Sequence, residues 1–278
     1  MEMENRKVAN FKIACVVVTF NRKLLLERCL NAIRSQTYKP TAVYVIDNAS
    51  TDGTDVFLLS SGYVNRNVDD ILFKYYRSEK NEGGSGGFYT GIQHACQCGA
   101  DWIWCMDDDV FPRPDCLEQL LCHIDDSRIG MLAPRRLLEG QVYTNDFLRY
   151  DLTNPFSSLY KEKLSKQTVA APVEIGGTAF EGPFIRREVV DKIGLPNKDL
   201  FIFCDDTDYC LRTVRAGYKI LYVPDALMDK QKFFSEDTWA VRNQKKKWKR
   251  FYQVRNSTYL NHHYGRNWGV RYLRGFNG

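Results

Sequence analysis

Three carboxylates stand in a row at Asp107, Asp108 and Asp109, directly after the apolar run WIWCM. Alternate residues of an extended segment point the same way. Asp107 and Asp109 are therefore expected to reach one hard divalent cation, with Asp108 facing elsewhere. An isolated acidic triplet is ordinarily a solvated turn. This one closes a buried strand, where adjacent carboxylates repel unless a cation compensates them. Such a cation normally also takes phosphate oxygens from a substrate. A second cluster, Asp205, Asp206 and Asp208, follows the apolar LFIFC. A carboxylate in a partly apolar site can serve as a general base, whereas acids in a first helical turn simply complement its dipole. Asp208 is expected inside that turn, with Asp205 and Asp206 at its mouth.

Two further segments can do chemistry. NEGGSGGF at 81–88 has glycines that let a backbone approach a phosphate. Its spacing is not GxGxxG, and it does not follow the first strand, so a plain turn is equally compatible. KKKWKR at 245–250 mixes bases with aromatics. Trp248, Phe251, Tyr252, Arg255 and Tyr259 share a helical face. The lysines suit anionic lipid headgroups, and the aromatics suit ordinary packing against a core.

The elements that must position these residues follow from periodicity. Ile13 to Phe20 reads as a buried parallel strand, and Asn21 is expected to cap the helix KLLLERCLNAIRSQ. AVYVID, ILFKYYRS and WIWCMDDD supply three more strands, with helices after NASTDGT and after the Gly-rich stretch. This β-α-β-α-β-α-β pattern predicts an α/β fold with a mostly parallel sheet and helices on both faces. Ligands of such sheets bind at the carboxyl ends of strands, where TFNR, Asp47 and Asp107–Asp109 all fall. Further on, MLAPRRL reads as a strand, and residues 175–194 as strand, turn and helix. The stretch 200–217 reads as an acidic loop entering a helix, 218–230 as an edge or late strand, and 239–262 as helical. Residues 140–170 show no clear pattern. The expected organisation is one domain over 1–238 with a helical extension over 239–278.

Composition narrows the class. The chain has 278 residues, 44% hydrophobic and 26% charged, enough to bury a sizeable core. A net charge of +5 is too weak to argue for nucleic-acid binding. No apolar run approaches the roughly 20 residues of a membrane span, and the N-terminus does not read as a signal peptide. Nine cysteines without a CxxC pair, and four histidines off zinc spacing, fit a reduced protein better than a disulfide scaffold or structural zinc. Cytosol is the expected compartment.

Together, VVVTFNR, VIDNASTDGT, NEGGSGGFYTG, WIWCMDDD, GPFIRREVVDKIGLP, FCDDTDYCLRTVRAGYKI and FYQVRN resemble the family 2 glycosyltransferases of GT-A fold over about residues 12–260. Galactofuranosyltransferases are the nearest likeness, followed by rhamnosyltransferases. The resemblance implies a nucleotide-sugar donor, UDP-linked or dTDP-linked, a divalent Mn or Mg ion, and a glycan or polyprenyl-linked glycan acceptor used in cell-surface polysaccharide synthesis. It implies donor contacts from Thr19, Phe20, Arg22, Asp47, Asn81, Gly83, Gly84, Asp107 and Asp108. Asp107 and Asp109 would hold metal, and Asp206 would be the base of an inverting transfer. Asp205 and the loop Phe180, Glu181, Gly182 to Phe184 would face the acceptor. The family usually places a metal-completing histidine after its VP strand. Here VPDALMDKQKF offers Asp229 and Lys230. Asp229 is the expected third oxygen ligand. The alternatives are diphosphate neutralisation by Lys230, or His262 or His263 folding back. The likeness and the basic helix imply a cytoplasmic enzyme in peripheral contact with the membrane through 242–255. Two rivals remain from the residues alone. A nicotinamide oxidoreductase lacks its fingerprint here and leaves the acidic strand end unexplained. A non-catalytic nucleotide- or glycan-binding module would keep the fold without turnover.

Overall fold

A run such as IACVVVT has no polar face, so it is stable only in a sheet covered on both sides. The computed structural model, which describes residues 11–164, 169–232 and 247–274, places it there. The first half alternates strand and helix: β1 (Ile13–Thr19), α1 (Lys23–Arg34), β2 (Ala42–Asp47), α2 (Thr54–Ser60), β3 (Arg66–Val68), β4 (Ile71–Arg77), α3 (Gly83–Gln97) and β5 (Trp102–Asp107). Then come β6 (Val110–Pro112), α4 (Cys116–Leu121), β7 (Ile129–Leu138), β8 (Gln141–Tyr143), β9 (Phe147–Arg149), β10 (Glu162–Lys163), β11 (Val173–Ile175) and β12 (Phe184–Arg186). The chain continues through α5 (Arg187–Ile193), α6 (Asp205–Arg215), β13 (Lys219–Lys230), α7 (Lys249–Tyr264) and α8 (Trp268–Tyr272).

The main sheet runs β11-β13-β7-β12-β5-β1-β2-β4-β3. Strands β5, β1, β2 and β4 are parallel, as the βαβ pattern requires. The short β12 inserts antiparallel between β5 and β7. Side chains of β1 alternate between two cores. Ile13, Cys15 and Val17 join Leu26, Leu30, Leu58 and Leu117 on one face. Ala14, Val16 and Val18 join Phe88, Ile92, Val190 and Tyr209 on the other. Burying each such aliphatic side chain contributes about 1.5–3 kcal/mol, so the α/β fold follows directly from this patterning. Among the described residues no helix is long and apolar enough to cross a membrane.

Four expectations need correction. Asn21 does not cap α1. It takes a left-handed φ of 53°, and its side-chain oxygen accepts the Thr51 N–H at 2.6 Å, tying the first strand end to the second. The Gly-rich stretch is not a loop ahead of a helix but the first turns of α3 itself. Any side chain at Gly87 or Gly91 would collide with Val18 or Val16, so these glycines let α3 lie directly on β1. Of the two alternatives for 218–230, β13 is the late strand and not the edge: it pairs with β7 on one side and β11 on the other. The unpatterned stretch 140–170 contains β8, β9 and β10. The basic run is described from Lys247 onward; residues 239–246 lie outside the described residues. Helix α7 packs through Leu260 and Tyr264 against Leu152, Leu159 and Leu211.

Candidate active site

The acidic strand end is held by one hydroxyl and two cations from other segments. Thr19, at the end of β1, donates its hydroxyl to Asp108 at 2.7 Å. Arg22 donates to Asp108 at 3.0 Å and to Asp109 at 3.4 Å. Lys230, at the end of β13, donates to Asp109 at 3.2 Å and to Glu181 at 2.8 Å. Glu181 also takes a 2.8 Å bond from Arg136, a fully buried arginine that pairs with Asp146 at 2.6 Å. Thr178 completes this chain with a 2.6 Å bond to Asp146.

Charges this close shift one another. Burial raises the Asp107 carboxyl well above the usual range, and Asp109, Glu181 and Asp108 raise it further. Burial lifts Asp108 to about 6 while Arg22 and Thr19 pull back. Burial opposes the charge on Lys230, but Glu181 and Asp109 outweigh it and hold its pKa above the ordinary lysine value. Burial likewise opposes ionisation of Glu181, yet Arg136 and Lys230 draw its pKa down.

The second acidic cluster opens α6. Asp205 and Asp206 follow a loop in which Phe201, Phe203 and Cys204 all take left-handed φ angles of 65°, 66° and 65°. Non-glycine residues adopt that region at a cost of about 1–2 kcal/mol each. Asn256 of α7 holds the loop: its side-chain nitrogen lies 2.9 Å from the carbonyl oxygens of Leu200, Ile202 and Phe203. Burial raises the pKa of both carboxyls, Asp206 to about 6 and Asp205 to about 7, with Asp206 also acting on Asp205. Asp208 serves the helix instead, bound by Arg212 at 2.9 Å and Tyr264 at 2.5 Å. Glu181 acts electrostatically on both Asp107 and Asp206, so both acid clusters lie within range of its charge.

The other expected residues divide. Phe20, directly after β1, is 40% exposed. Asn81 accepts the Gly83 N–H at 2.8 Å and so shapes the start of α3. Gly83 (φ 72°) is walled in by the Phe201 backbone, while Gly84 leaves open space beside its α-carbon. Asp47 is fully buried. It accepts from Ser50 N–H and from the Tyr75 hydroxyl, both at 2.8 Å, and so builds the turn after β2 rather than facing the cleft. Asp108 is likewise occupied by Thr19 and Arg22.

In the loop expected to face the acceptor, only Glu181 reaches the acidic basin. Phe180 packs on Phe88 and Tyr209, with ring centroids at 4.6 and 5.7 Å. Phe184 stacks on Trp102 at 4.6 Å. Gly182 (φ 109°) is required because a side chain there would collide with Met228. Asp229 is not brought to the acid triplet. It turns outward and pairs with both ends of Arg113 at 3.1 Å, because strand neighbours face opposite ways and Lys230 is the inward one. His262 and His263 lie in α7 beside Tyr272 and Tyr259.

Among the described residues no three His, Cys, Asp or Glu side chains form a metal-holding group. Asp107 accepts no side-chain hydrogen bond among the described residues, and Asp109 offers oxygens shared with Arg22 and Lys230. Two carboxylates joined by substrate phosphates are a common arrangement for Mg²⁺. The donor set therefore fits a hard cation that arrives with a diphosphate.

Reading the sequence missed Arg136, Asp146, Thr178 and Asn256. The signal for Arg136 was present: an arginine inside the apolar strand MLAPRRL must be buried, and buried charge demands a partner. Nothing in the spacing points to Asn256.

An α/β sheet of this order, with acids closing β5 and opening α6, is the GT-A arrangement. The chain belongs to the glycosyl transferase family 2, whose model matches residues 14–194. Galactofuranosyltransferase GlfT1 of Mycolicibacterium smegmatis is 30% identical over 221 residues, spanning 74% of this chain and 66% of that protein. GlfT1 of Mycobacterium tuberculosis is also 30% identical, over 74% of this chain and 65% of its own length. The chain thus spans just under two thirds of these relatives. The dTDP-rhamnosyl transferase RfbF of Shigella flexneri is 24% identical over 79% of this chain and 69% of its own. Among solved structures, mannosyltransferase PcManGT from Pyrobaculum calidifontis in complex with GDP-Man and Mn²⁺ superposes with a TM-score of 0.62 at 18% identity, over 90% of this chain and 63% of that one. GalNAc-T7 with UDP, GalNAc and Mn²⁺ gives 0.62 at 19% identity, over 79% and 44%.

Proposed function

We propose that this chain transfers a hexosyl group with inversion from a nucleotide sugar, UDP-galactofuranose above others, to a glycan or lipid-linked glycan hydroxyl. The observation that carries the reading is the pair of acid clusters, Asp107–Asp109 closing β5 and tied through Lys230 to Glu181, and Asp205–Asp206 opening α6. The likeness to GlfT1 favours galactofuranose as the donor sugar. The weaker likeness to RfbF makes dTDP-rhamnose the second reading.

Asp206 accepts the proton of the acceptor hydroxyl as that oxygen attacks the anomeric carbon. The bond from that carbon to the diphosphate breaks, and the nucleoside diphosphate leaves with its electron pair. Asp205 orients the acceptor beside Asp206. Thr19 and Arg22 fix Asp108 and so hold the acid strand end in place. Asp107 and Asp109 would hold a divalent cation when the donor is bound, and it would supply neutralisation of charge on the departing diphosphate.

The acceptor reading includes a cytoplasmic location and peripheral membrane contact through 242–255. It is supported by Trp248 and Phe251, which are largely exposed beside Lys247 and Arg250. The deciding experiment is Asp206→Asn. Turnover should fall by a factor of about 10²–10⁴ while affinity for the nucleoside diphosphate stays within threefold. Near-wild-type turnover would remove Asp206 from the mechanism.

A further inference from the structure

The structure places a positive charge of the chain itself against the second carboxylate of the acid triplet. Strand β13 pairs antiparallel with β6, setting Lys230 opposite Val110, the residue after Asp109. The Gln231 N–H donates to the Asp109 carbonyl at 2.9 Å and locks that register. The Lys230 ammonium then bridges Asp109 at 3.2 Å and Glu181 at 2.8 Å, with a side chain only 11% exposed. Its partners are themselves fixed: Glu181 by Arg136, and Arg136 by Asp146.

An ammonium in hydrogen-bond contact with a carboxylate takes up the lone pairs that a hard cation would use. Its charge also repels that cation at short range. We infer that Lys230 is a resident cation: it competes with divalent metal for Asp109 and itself supplies positive charge for a diphosphate. Free protein accordingly holds Mn²⁺ weakly, and diphosphate binding partly survives removal of metal. The diphosphate half of this inference rests on the proposed nucleotide-sugar function; the metal half does not.

The test uses the full chain and two readouts other than turnover. Mn²⁺ alone is titrated and free Mn²⁺ is read by electron paramagnetic resonance. Lys230→His, which removes the charge and adds a ligand, should bind at least tenfold tighter than wild type, while Lys230→Arg should stay close to wild type. Equal Mn²⁺ affinity in wild type and Lys230→His would overturn the inference. Calorimetric titration of UDP and dTDP is then run with Mn²⁺ and with EDTA. Wild type should lose less than tenfold in affinity in EDTA, and Lys230→Ala should lose at least a further tenfold there. Abolition of wild-type binding by EDTA, or an unchanged Lys230→Ala, would also overturn it. If neither nucleotide binds in either buffer, the proposed function fails, and the Mn²⁺ titration alone decides whether Lys230 competes with metal.

Discussion

Asn256→Ala is the change that most directly tests how α7 serves the cleft. The asparagine is fully buried, and its nitrogen faces three carbonyl oxygens of the loop that leads into Asp205 and Asp206. Leu200 keeps a second donor, Arg255, at 2.9 Å. The carbonyls of Ile202 and Phe203 lose the donor that Asn256 gives them. A buried carbonyl left unsatisfied costs about 1–3 kcal/mol; Ile202 and Phe203 are only half-buried, so at about 1–2 kcal/mol each the loss should come to about 2–4 kcal/mol. The same bonds hold residues in the left-handed region, so the loop should also relax and carry Asp205 and Asp206 with it. In a chain of this size the midpoint of thermal unfolding should drop by roughly 4–12 °C. In steady-state kinetics kcat should fall at least tenfold, while calorimetric affinity for the nucleoside diphosphate stays within threefold. Asn256→Asp keeps the shape but sets a carboxylate against carbonyls, and should be at least as damaging. Wild-type melting and wild-type kcat in Asn256→Ala would refute the argument. So would equal losses in donor affinity and kcat, since they would show a collapse of the whole cleft.

Acidity should act in opposite senses on activity and stability. The base works only when ionised, so kcat/KM should fall as pH drops through about 6, the value to which burial raises Asp206. Buried carboxyls with raised pKa bind protons more tightly in the folded state. The ligand-free protein should therefore lose stability as pH climbs from about 4, the unfolded value, to about 7; a melting temperature that rises over that window would contradict this. Gly91→Ala should cost about 1–3 kcal/mol in denaturant unfolding, because the added carbon collides with Val16 under α3. Phe184→Leu should cost about 1–2 kcal/mol and leave the acceptor KM unchanged, as expected of a side chain stacked on Trp102; a raised acceptor KM would return Phe184 to the acceptor site.

The sequence carried the parallel core because IACVVVT, AVYVID and WIWCMD announce their burial by composition alone. The acid clusters were legible for the same reason: carboxylates directly after apolar runs demand an explanation. Facing was not legible. Asp229 and Lys230 are neighbours, and only the register between β13 and β6 determines which turns inward. Phe180 and Phe184 sit in a motif that reads as a loop, yet Phe180 packs on Phe88 and Tyr209, and β12 carries Phe184 into the sheet core by pairing with β5 and β7. Asp47 stands at a strand end like the Asp107–Asp109 triplet, but Tyr75 from the adjacent strand claims its carboxylate. Each error concerns a partner remote in sequence, which periodicity cannot supply.

The bridge from Lys230 to Asp109 joins residues 121 positions apart. A chain growing from its N-terminus therefore carries Asp107, Asp108, Asp109 and Glu181 before it carries the lysine that Asp109 and Glu181 share. The early strands β1, β2 and β4 can pair as they emerge, since each pairs with the next and domains begin to form from the N-terminal side. The cleft cannot. Until β13 arrives, the acid cluster lacks one of its cations, and closing so long a loop costs entropy. Completion of the cleft is thus a late event in biosynthesis, and a fragment ending before β13 retains the acids without the charge that settles them.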